Sequence, residues 1–340
     1  MDTKHRIRIG ISIGDTNGIG PEIIVKTLSD QRLLSFCTPV IYGSVALLNQ
    51  VRKALNAEHF HFQAVDSAQN LALKKINLIS CIDEALELEP GKPTAASGKA
   101  SLDSLLAASH DLKAGLLDGI VTAPINKDNI QSEDFRFPGH TEFLTSYFDA
   151  ADSLMLLVSG DLRVATVTGH IPVKDVADKL SEVLLIRKIT ILLESLRKDF
   201  GIQKPRIAVL GLNPHAGEQG LLGKEETEII RPTIVQLKER GHLVFGPYPA
   251  DGFFGMQQYR QVDAVLSMYH DQGLIPFKTL AMESGVNFTA GLSVVRTSPD
   301  HGTAYDIANQ YKADETSFRE ALFLACDIVK KRLAEQIPAV

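Results

Sequence analysis

The fold is decided by residues 6–28, RIRIGISIGDTNGIGPEIIVKTL, in which three consecutive segments have different patterns. Apolar alternation predicts a strand over residues 6–12. A glycine-rich turn follows, and Pro21 then suits the first position of an apolar helix. The same strand-to-helix order recurs along the chain, which predicts an α/β fold with a largely parallel sheet covered on both faces. Further strands are predicted over residues 39–43, 118–124, 163–169, 206–212, 263–268 and 292–298, and further helices over residues 44–55, 97–115, 181–200, 225–239 and 317–335.

Length, charge and cysteine content restrict the class of protein. The chain has 340 residues, and 35 Lys and Arg against 41 Asp and Glu give a net charge of −6. This length favours two lobes or one large α/β unit. The acidic balance argues against non-specific nucleic-acid binding. Three cysteines without a C-x-x-C pair exclude a disulfide scaffold and a zinc ribbon. We therefore expect a cytoplasmic protein whose N-terminal stretch is a strand and not a signal peptide.

The glycine turn GDTNGIGPE, residues 14–22, partly matches a dinucleotide-binding fingerprint. It follows a strand and opens a helix, which is the right context for that motif. The third glycine of the fingerprint is missing, because Ile23 stands there. A tight turn that binds no ligand explains the sequence equally well, so both interpretations stay open at this stage.

Three histidines share one setting. His170, His215 and His270 each lie just beyond the carboxyl end of a predicted strand. Ligands of open α/β sheets bind at that edge. Three imidazoles converging there would form a divalent metal site with an open position, which favours a catalytic over a structural ion. The alternative is three unrelated histidines in turns.

A second group of polar residues lies near helix starts and strand ends. His140 and Thr141 begin a predicted helix after a Pro-Gly turn, and the free N–H groups of a helix start favour anions. Lys278, Asn287 and Arg296 stand near turns, where cations could bind a phosphate or a carboxylate. Taken singly, each could equally be an ordinary surface residue.

Nine motifs in order along residues 9–308 resemble 4-hydroxythreonine-4-phosphate dehydrogenases. The resemblance implies the two-lobed α/β/α sandwich of isocitrate and isopropylmalate dehydrogenases, with the active site in the cleft between the lobes. It places a cofactor-side lobe at residues 1–127 plus 281–340 and a metal and dimerisation lobe at residues 128–280. It also implies a homodimer with the active site at the subunit interface. The motifs are GIGPEI, VTAPINK, PGHTEFL, TGHIPV, LGLNPHAGE, PYPADGFF, MYHDQGLIPFK, VNFTAGL and RTSPDHGTAYDIA.

The resemblance also implies residue roles. The metal-binding histidines of the family match His170, His215 and His270, and its substrate contacts match His140, Thr141, Lys278, Asn287 and Arg296. DHGTAYDIA is similar to the NAD loop of isopropylmalate dehydrogenases, which implies cofactor contacts from His301, Gly302, Thr303 and Asp306. Two positions depart from the family. Thr16 replaces a usual Pro, which puts the conformation of the first turn in doubt, and Gln219 stands where Gly is common.

The implied reaction is oxidation of 4-phosphooxy-L-threonine at C3 by NAD or NADP, with one divalent metal (Zn, Co or Mg) per subunit. Decarboxylation then gives 3-amino-2-oxopropyl phosphate, a precursor of pyridoxine 5′-phosphate. Asp251 is the first candidate for the proton acceptor, and Lys278 is the second. One alternative is a related dehydrogenase acting on 4-phospho-D-threonate or D-erythronate, because no named residue contacts the C2 substituent. The other is a non-catalytic ligand-binding protein on the same fold.

Overall fold

The computed structural model describes residues 5–133 and 135–335, which form two compact units. Unit 1 contains the described residues up to Asp149 together with Ser293–Leu333, and unit 2 contains Ala150–Leu292. The boundaries expected from the sequence, after residues 127 and 280, both lie earlier in the chain. The roles assigned to the two lobes stay a prediction.

Unit 1 is built on a parallel sheet in the order β3-β4-β2-β1-β5-β12. Its central strand β2 is a nearly continuous apolar run that is buried throughout, as expected when helices cover both faces. Its strands are β1 (Arg8–Ser12), β2 (Thr38–Gly43), β3 (Phe62–Ala64), β4 (Ile76–Ser80), β5 (Gly119–Thr122) and β12 (Arg296–Pro299), and its helices are α1 (Gly20–Leu28), α2 (Val45–Ala54), α3 (Ala95–Lys113), α4 (His140–Tyr147) and α10 (Thr316–Glu335).

Unit 2 has a mixed sheet in the order β11-β6-β7-β10-β8-β9. The β11–β6 and β6–β7 pairs are antiparallel, and the other pairs are parallel. Its strands are β6 (Leu154–Ser159), β7 (Leu162–Thr166), β8 (Arg206–Leu210), β9 (Leu243–Tyr248), β10 (Ala264–Ser267) and β11 (Val286–Ala290), and its helices are α5 (Val176–Lys179), α6 (Glu182–Lys198), α7 (Arg231–Glu239), α8 (Ala250–Gly255) and α9 (His270–Ala281).

The α/β prediction is confirmed, and the local signals behind it are visible in the structure. Ser44 caps α2, because its Oγ accepts a hydrogen bond from the Leu47 N–H at 3.1 Å. Two predicted elements are wrong in detail. The strand expected over residues 292–298 begins only at Arg296, because the preceding residues connect the two units. The helix expected over residues 225–239 opens with a π-helical turn, Glu226–Ile230, before α7.

Three parallel strands of unit 2 position the histidines. Strands β7, β10 and β8 are neighbours, so their carboxyl ends lie at one edge of the sheet. His170, His215 and His270 follow these strands within a few residues. None of the helices in residues 5–133 and 135–335 combines the length and the apolar character of a membrane span.

Candidate active site

His170 and His270 lie close together at this edge of unit 2, with ring centroids 5.6 Å apart. The His270 Nδ1 hydrogen bonds Asp271 Oδ1 at 2.7 Å, which leaves Nε2 available as a metal ligand. Within the described part of one chain, however, no three His, Cys, Asp or Glu side chains form a group able to hold a metal ion. The structure therefore brings together two of the three predicted ligands, and His215 does not complete the set.

His215 begins a left-handed turn that is unusual for L-residues. Residues 215–219 have φ values of 53°, 50°, 77°, 43° and 58°. Only one of the five is a glycine, and a non-glycine residue in this region is disfavoured by contact of its Cβ with the backbone. The φ of 58° at Gln219 gives a physical reason for the glycine common there in the family. The turn must be stabilised by its surroundings.

Glu226 provides that stabilisation from beneath the turn. Its carboxylate is fully buried and accepts hydrogen bonds from the Asn213 backbone N–H at 2.7 Å and from Asn213 Nδ2 at 3.0 Å. A Cβ added to Gly217 would lie 2.4 Å from Glu226 Oε2 and would displace this carboxylate, and the φ of 77° also favours glycine there. Sequence reasoning missed Glu226, since an acidic residue in a helical segment is usually exposed.

The remaining predicted residues of unit 2 lie on three different elements. Asp251 is exposed in the first turn of α8. Lys278 is half-buried on α9, two helical turns after His270. Asn287 lies in β11, and its Oδ1 is buried without a hydrogen-bond partner among the described residues. A buried amide oxygen of this kind is suited to accept a hydrogen bond from a ligand.

In unit 1, Arg296 is a buried cation. It is 2% exposed, and its Nε and Nη2 donate to Thr122 Oγ1 at 3.1 and 2.7 Å. Burial lowers the pKa of Arg296 to about 10, and the Glu142 carboxylate opposes that shift. The guanidinium therefore stays charged near neutral pH in a position where an anion would be strongly attracted.

His140 begins α4 beside this cation. Burial, together with the positive charges of Arg296 and Lys127, lowers the pKa of His140 well below 6.5, so the imidazole is neutral at pH 7. Its Nε2 is buried and has no hydrogen-bond partner among the described residues. Thr141 follows in the first turn, where backbone N–H groups are free of helical partners. A cation, a neutral imidazole and a helix start together form a site suited to an anion, called here the anion site.

Sequence reasoning found the three residues of the anion site and missed two charged residues that act on them. Lys127 and Glu142 were not proposed, although they lie in the motifs VTAPINK and PGHTEFL. Their influence is electrostatic and depends on the folded positions of Arg296 and His140. The spacing of charged residues along the sequence therefore did not predict this electrostatic influence.

The predicted cofactor residues lie in a partly exposed segment of unit 1, residues 301–311, called here the cofactor loop. Asp306 and Gly302 are exposed, and His301 and Thr303 are half-buried. The glycine turn of residues 14–22 packs against this loop. A Cβ added to Gly18 would lie 2.7 Å from the Thr303 carbonyl oxygen. Gly18 thus allows the first turn to pack closely against the backbone of the cofactor loop. This packing disfavours the interpretation of the first turn as a dinucleotide-binding site.

Comparison with known proteins identifies the family of this chain. Residues 35–325 match the family model described as "Pyridoxal phosphate biosynthetic protein PdxA". The chain belongs to the PdxA family.

Named relatives and solved structures agree with membership of the PdxA family. The chain is 50% identical over 338 residues to a 4-hydroxythreonine-4-phosphate dehydrogenase of Bacteroides thetaiotaomicron, covering 99% of this chain and 93% of the relative. A D-threonate 4-phosphate dehydrogenase of Cupriavidus necator is 41% identical, with 95% and 98% covered. The crystal structure of a 4-hydroxythreonine-4-phosphate dehydrogenase from Klebsiella pneumoniae superposes with a TM-score of 0.84 at 35% identity, with 97% and 99% covered. The prediction that the chain is a dehydrogenase is confirmed.

Proposed function

We propose that this dehydrogenase oxidises 4-phosphooxy-L-threonine at C3 with NAD or NADP, and that decarboxylation then gives 3-amino-2-oxopropyl phosphate for pyridoxine 5′-phosphate biosynthesis. The observation that carries the proposal is the anion site, in which buried Arg296 lies beside a neutral His140 at a helix start. This site suits one of the two anionic groups of that substrate, the phosphate or the carboxylate. The 50% identity to the Bacteroides thetaiotaomicron enzyme supports the same substrate.

In this proposal the substrate residues are His140, Thr141, Lys278, Asn287 and Arg296. The guanidinium would bind an anionic group by charge-assisted hydrogen bonds, and His140 would donate to the same group without adding charge. Asn287 would use its buried Oδ1 to accept from a substrate hydroxyl or ammonium group.

The histidine pair of unit 2 fits a divalent cation. His170 and His270 are neighbours, and Asp271 orients the His270 ring so that Nε2 is the ligand atom. With His215 as the third ligand, the donor set suits zinc or cobalt and could hold magnesium. The chemistry such an ion supplies when bound is a lower pKa for a coordinated hydroxyl and stabilisation of negative charge on its oxygen.

Two residues are candidates to remove the proton from the C3 hydroxyl. Asp251 remains the first, as an exposed acid at the start of α8, and Lys278 remains the second. The chemistry supplied by NAD or NADP is acceptance of the hydride. His301, Gly302, Thr303 and Asp306 would bind and orient that cofactor.

We also propose that the working unit is a homodimer that shares its metal ligands. Ten of the thirteen exposed large hydrophobic side chains of the described residues lie in unit 2. Val173, Leu221 and Ile275 stand close in sequence to the three histidines. Packed against a second copy, these side chains would be removed from water, which would favour an interface on unit 2. A second copy would also supply the ligand that one chain lacks.

The substrate proposal is tested by NADH formation with 4-phosphooxy-L-threonine and with 4-phospho-D-threonate, each with and without a chelator. We expect faster turnover of the first substrate and loss of activity with chelator. His270→Ala should lose turnover and bound metal, whereas the exposed His59→Ala should behave as wild type. Preference for the second substrate would favour the alternative that the Cupriavidus necator relative supports.

The dimer proposal is tested by sedimentation at micromolar concentration. Ile275→Asp places a charge on a residue that is 64% exposed in unit 2, and Leu73→Asp is the matched control, at 59% exposure in unit 1. We expect the first variant to become monomeric and to lose bound metal, and the second to stay dimeric. A wild-type monomer with full activity would contradict the proposal.

A further inference from the structure

Asp15 is a fully buried carboxylate in the first turn of unit 1. Its Oδ2 accepts hydrogen bonds from Tyr305 Oη at 2.8 Å, from Asn129 Nδ2 at 2.8 Å and from Ser97 Oγ at 3.2 Å, and its Oδ1 accepts from the Asn17 N–H at 2.9 Å. Each of these donors is neutral. A buried acid is costly without such bonds, so these four donors explain how unit 1 accommodates Asp15 in its interior.

Tyr305 connects this carboxylate to the cofactor loop. Burial, and then the hydrogen bond to Asp15 and the negative charge of that residue, raise the pKa of Tyr305. The phenol therefore keeps its proton, and remains a donor to Asp15, at every pH where the protein would work. The link is consequently permanent and does not act as a switch.

The cofactor loop needs anchors, because its backbone is strained. Ala304, Asn309 and Tyr311 have φ values of 45°, 66° and 56°, in the left-handed region that disfavours residues with a Cβ. Conformations of this kind persist only where surrounding contacts determine them.

Residues 15–22 provide three contacts that fix the loop and the residues just after it, and Lys26 adds hydrogen bonds to the Tyr311 and Ala313 carbonyl oxygens at 3.0 and 2.7 Å. The Ile19 N–H donates to the Thr303 carbonyl oxygen at 3.0 Å. Tyr305 donates to Asp15, and the Ala313 N–H donates to Glu22 Oε1 at 2.9 Å. The first turn and the start of α1 thus form a platform beneath the loop. This also answers the doubt raised by Thr16, because Asp15 orders the turn through its hydrogen bonds.

We propose that Asp15 and Tyr305 are positioning residues that hold the cofactor loop in the conformation that binds NAD. The inference rests on the proposed function, which assigns NAD to this loop. Asp15 would not contact NAD, since a buried carboxylate would repel the pyrophosphate. If the hydrogen bond between Tyr305 and Asp15 is lost, only a fraction of the molecules keeps the loop conformation that binds NAD. The apparent dissociation constant for NAD then equals the intrinsic constant divided by that fraction. Turnover of the bound complex stays unchanged, because binding restores the loop.

The test compares two tyrosines of the same loop. Tyr305→Phe removes only the hydroxyl that donates to Asp15, and Tyr311→Phe removes an exposed hydroxyl that donates to Asn309. For Tyr305→Phe we expect the NADH dissociation constant, measured by fluorescence, and the KM for NAD to rise roughly 3- to 10-fold. The kcat and the KM for 4-phosphooxy-L-threonine should stay within about 2-fold of wild type. Tyr311→Phe should match wild type throughout.

Asp15→Asn gives a second test with nearly the same volume. Its amide cannot accept all the bonds that the carboxylate accepts, so the KM for NAD should rise at least as much as in Tyr305→Phe. The double variant should be less affected than the sum of the single effects, since both changes break one link.

The outcomes separate this inference from the proposed function. An unchanged NADH dissociation constant in Tyr305→Phe overturns the inference, as does a fall in kcat and melting temperature without a change in KM for NAD. Wild type that binds NADH but oxidises neither phosphorylated substrate overturns the proposed reaction, while the binding comparison still decides the inference. Wild type that binds no NADH overturns both.

Discussion

Glu226 supports the turn that carries His215, and Glu226→Ala should therefore weaken both stability and metal binding. Two hydrogen bonds from Asn213 to the buried carboxylate are lost, at 2.7 and 3.0 Å. Bonds to a charged acceptor contribute about 1.5–3 kcal/mol each, or about 3–6 kcal/mol together. Two effects make the loss of stability smaller than this sum. The variant no longer has to bury the charge of Glu226, and Asn213 Nδ2 keeps its hydrogen bond to Glu225 at 2.7 Å. We expect the free energy of unfolding to fall by about 2–4 kcal/mol.

The metal affinity should fall by a separate route. The left-handed conformation of residues 215–219 is intrinsically unfavourable, and without Glu226 the turn can relax. His215 would then leave its ligand position, and loss of a supporting partner typically costs about 10- to 100-fold in metal affinity.

The assay combines urea unfolding with competition for zinc against a chromophoric chelator. Glu228→Ala is the matched control, because its side chain is 65% exposed two residues further along the same helix. The reasoning is refuted if Glu226→Ala and Glu228→Ala have equal unfolding free energies and equal zinc affinities.

Three further predictions concern single residues. Gln219→Gly should stabilise the protein by about 0.5–1 kcal/mol in urea unfolding, because relief of the left-handed strain exceeds the entropy that glycine loses on folding. Arg296→Lys should reduce kcat/KM at least about 100-fold in steady-state assays with an unchanged circular dichroism spectrum, because an ammonium group cannot reproduce the planar guanidinium. His140 takes up a proton near pH 6.5 in the unfolded chain but resists protonation in the folded protein, so the free energy of unfolding should fall as the pH drops below 6.5. Denaturant titrations at several pH values should show a smaller fall for His140→Gln than for wild type.

Sequence patterns predicted the elements that depend on local residues. The strands before His170, His215 and His270 lie where their apolar runs indicate, because a buried parallel strand needs such a run. Strand β6 was missed, although Gly160 and Asp161 form a two-residue turn between β6 and β7 that is typical of a hairpin. An apolar run alone does not distinguish a strand from a buried helix.

The residues of the candidate site could be predicted from the sequence, but the buried residues that hold them in position could not. The histidines follow the carboxyl ends of strands, where the α/β fold concentrates ligand contacts. Arg296 begins β12 instead, and it was predicted from its motif. Glu226 and Asp15 were not predictable, because their burial depends on donors distant in sequence, such as Tyr305. Acidic residues are exposed so often that composition gives no reason to expect them inside.

The discontinuity of unit 1 has a consequence for synthesis. Strand β12 pairs with β5, although residues 123–295 separate them, whereas all six strands of unit 2 lie within residues 154–290. On the ribosome, unit 2 is therefore complete while unit 1 still lacks strand β12 and helix α10. Domains generally fold as units when their segments become available. Arg296 and the cofactor loop arrive together with that last segment. We therefore expect a nascent chain to fold unit 2 before the anion site and the cofactor loop of unit 1 are in place.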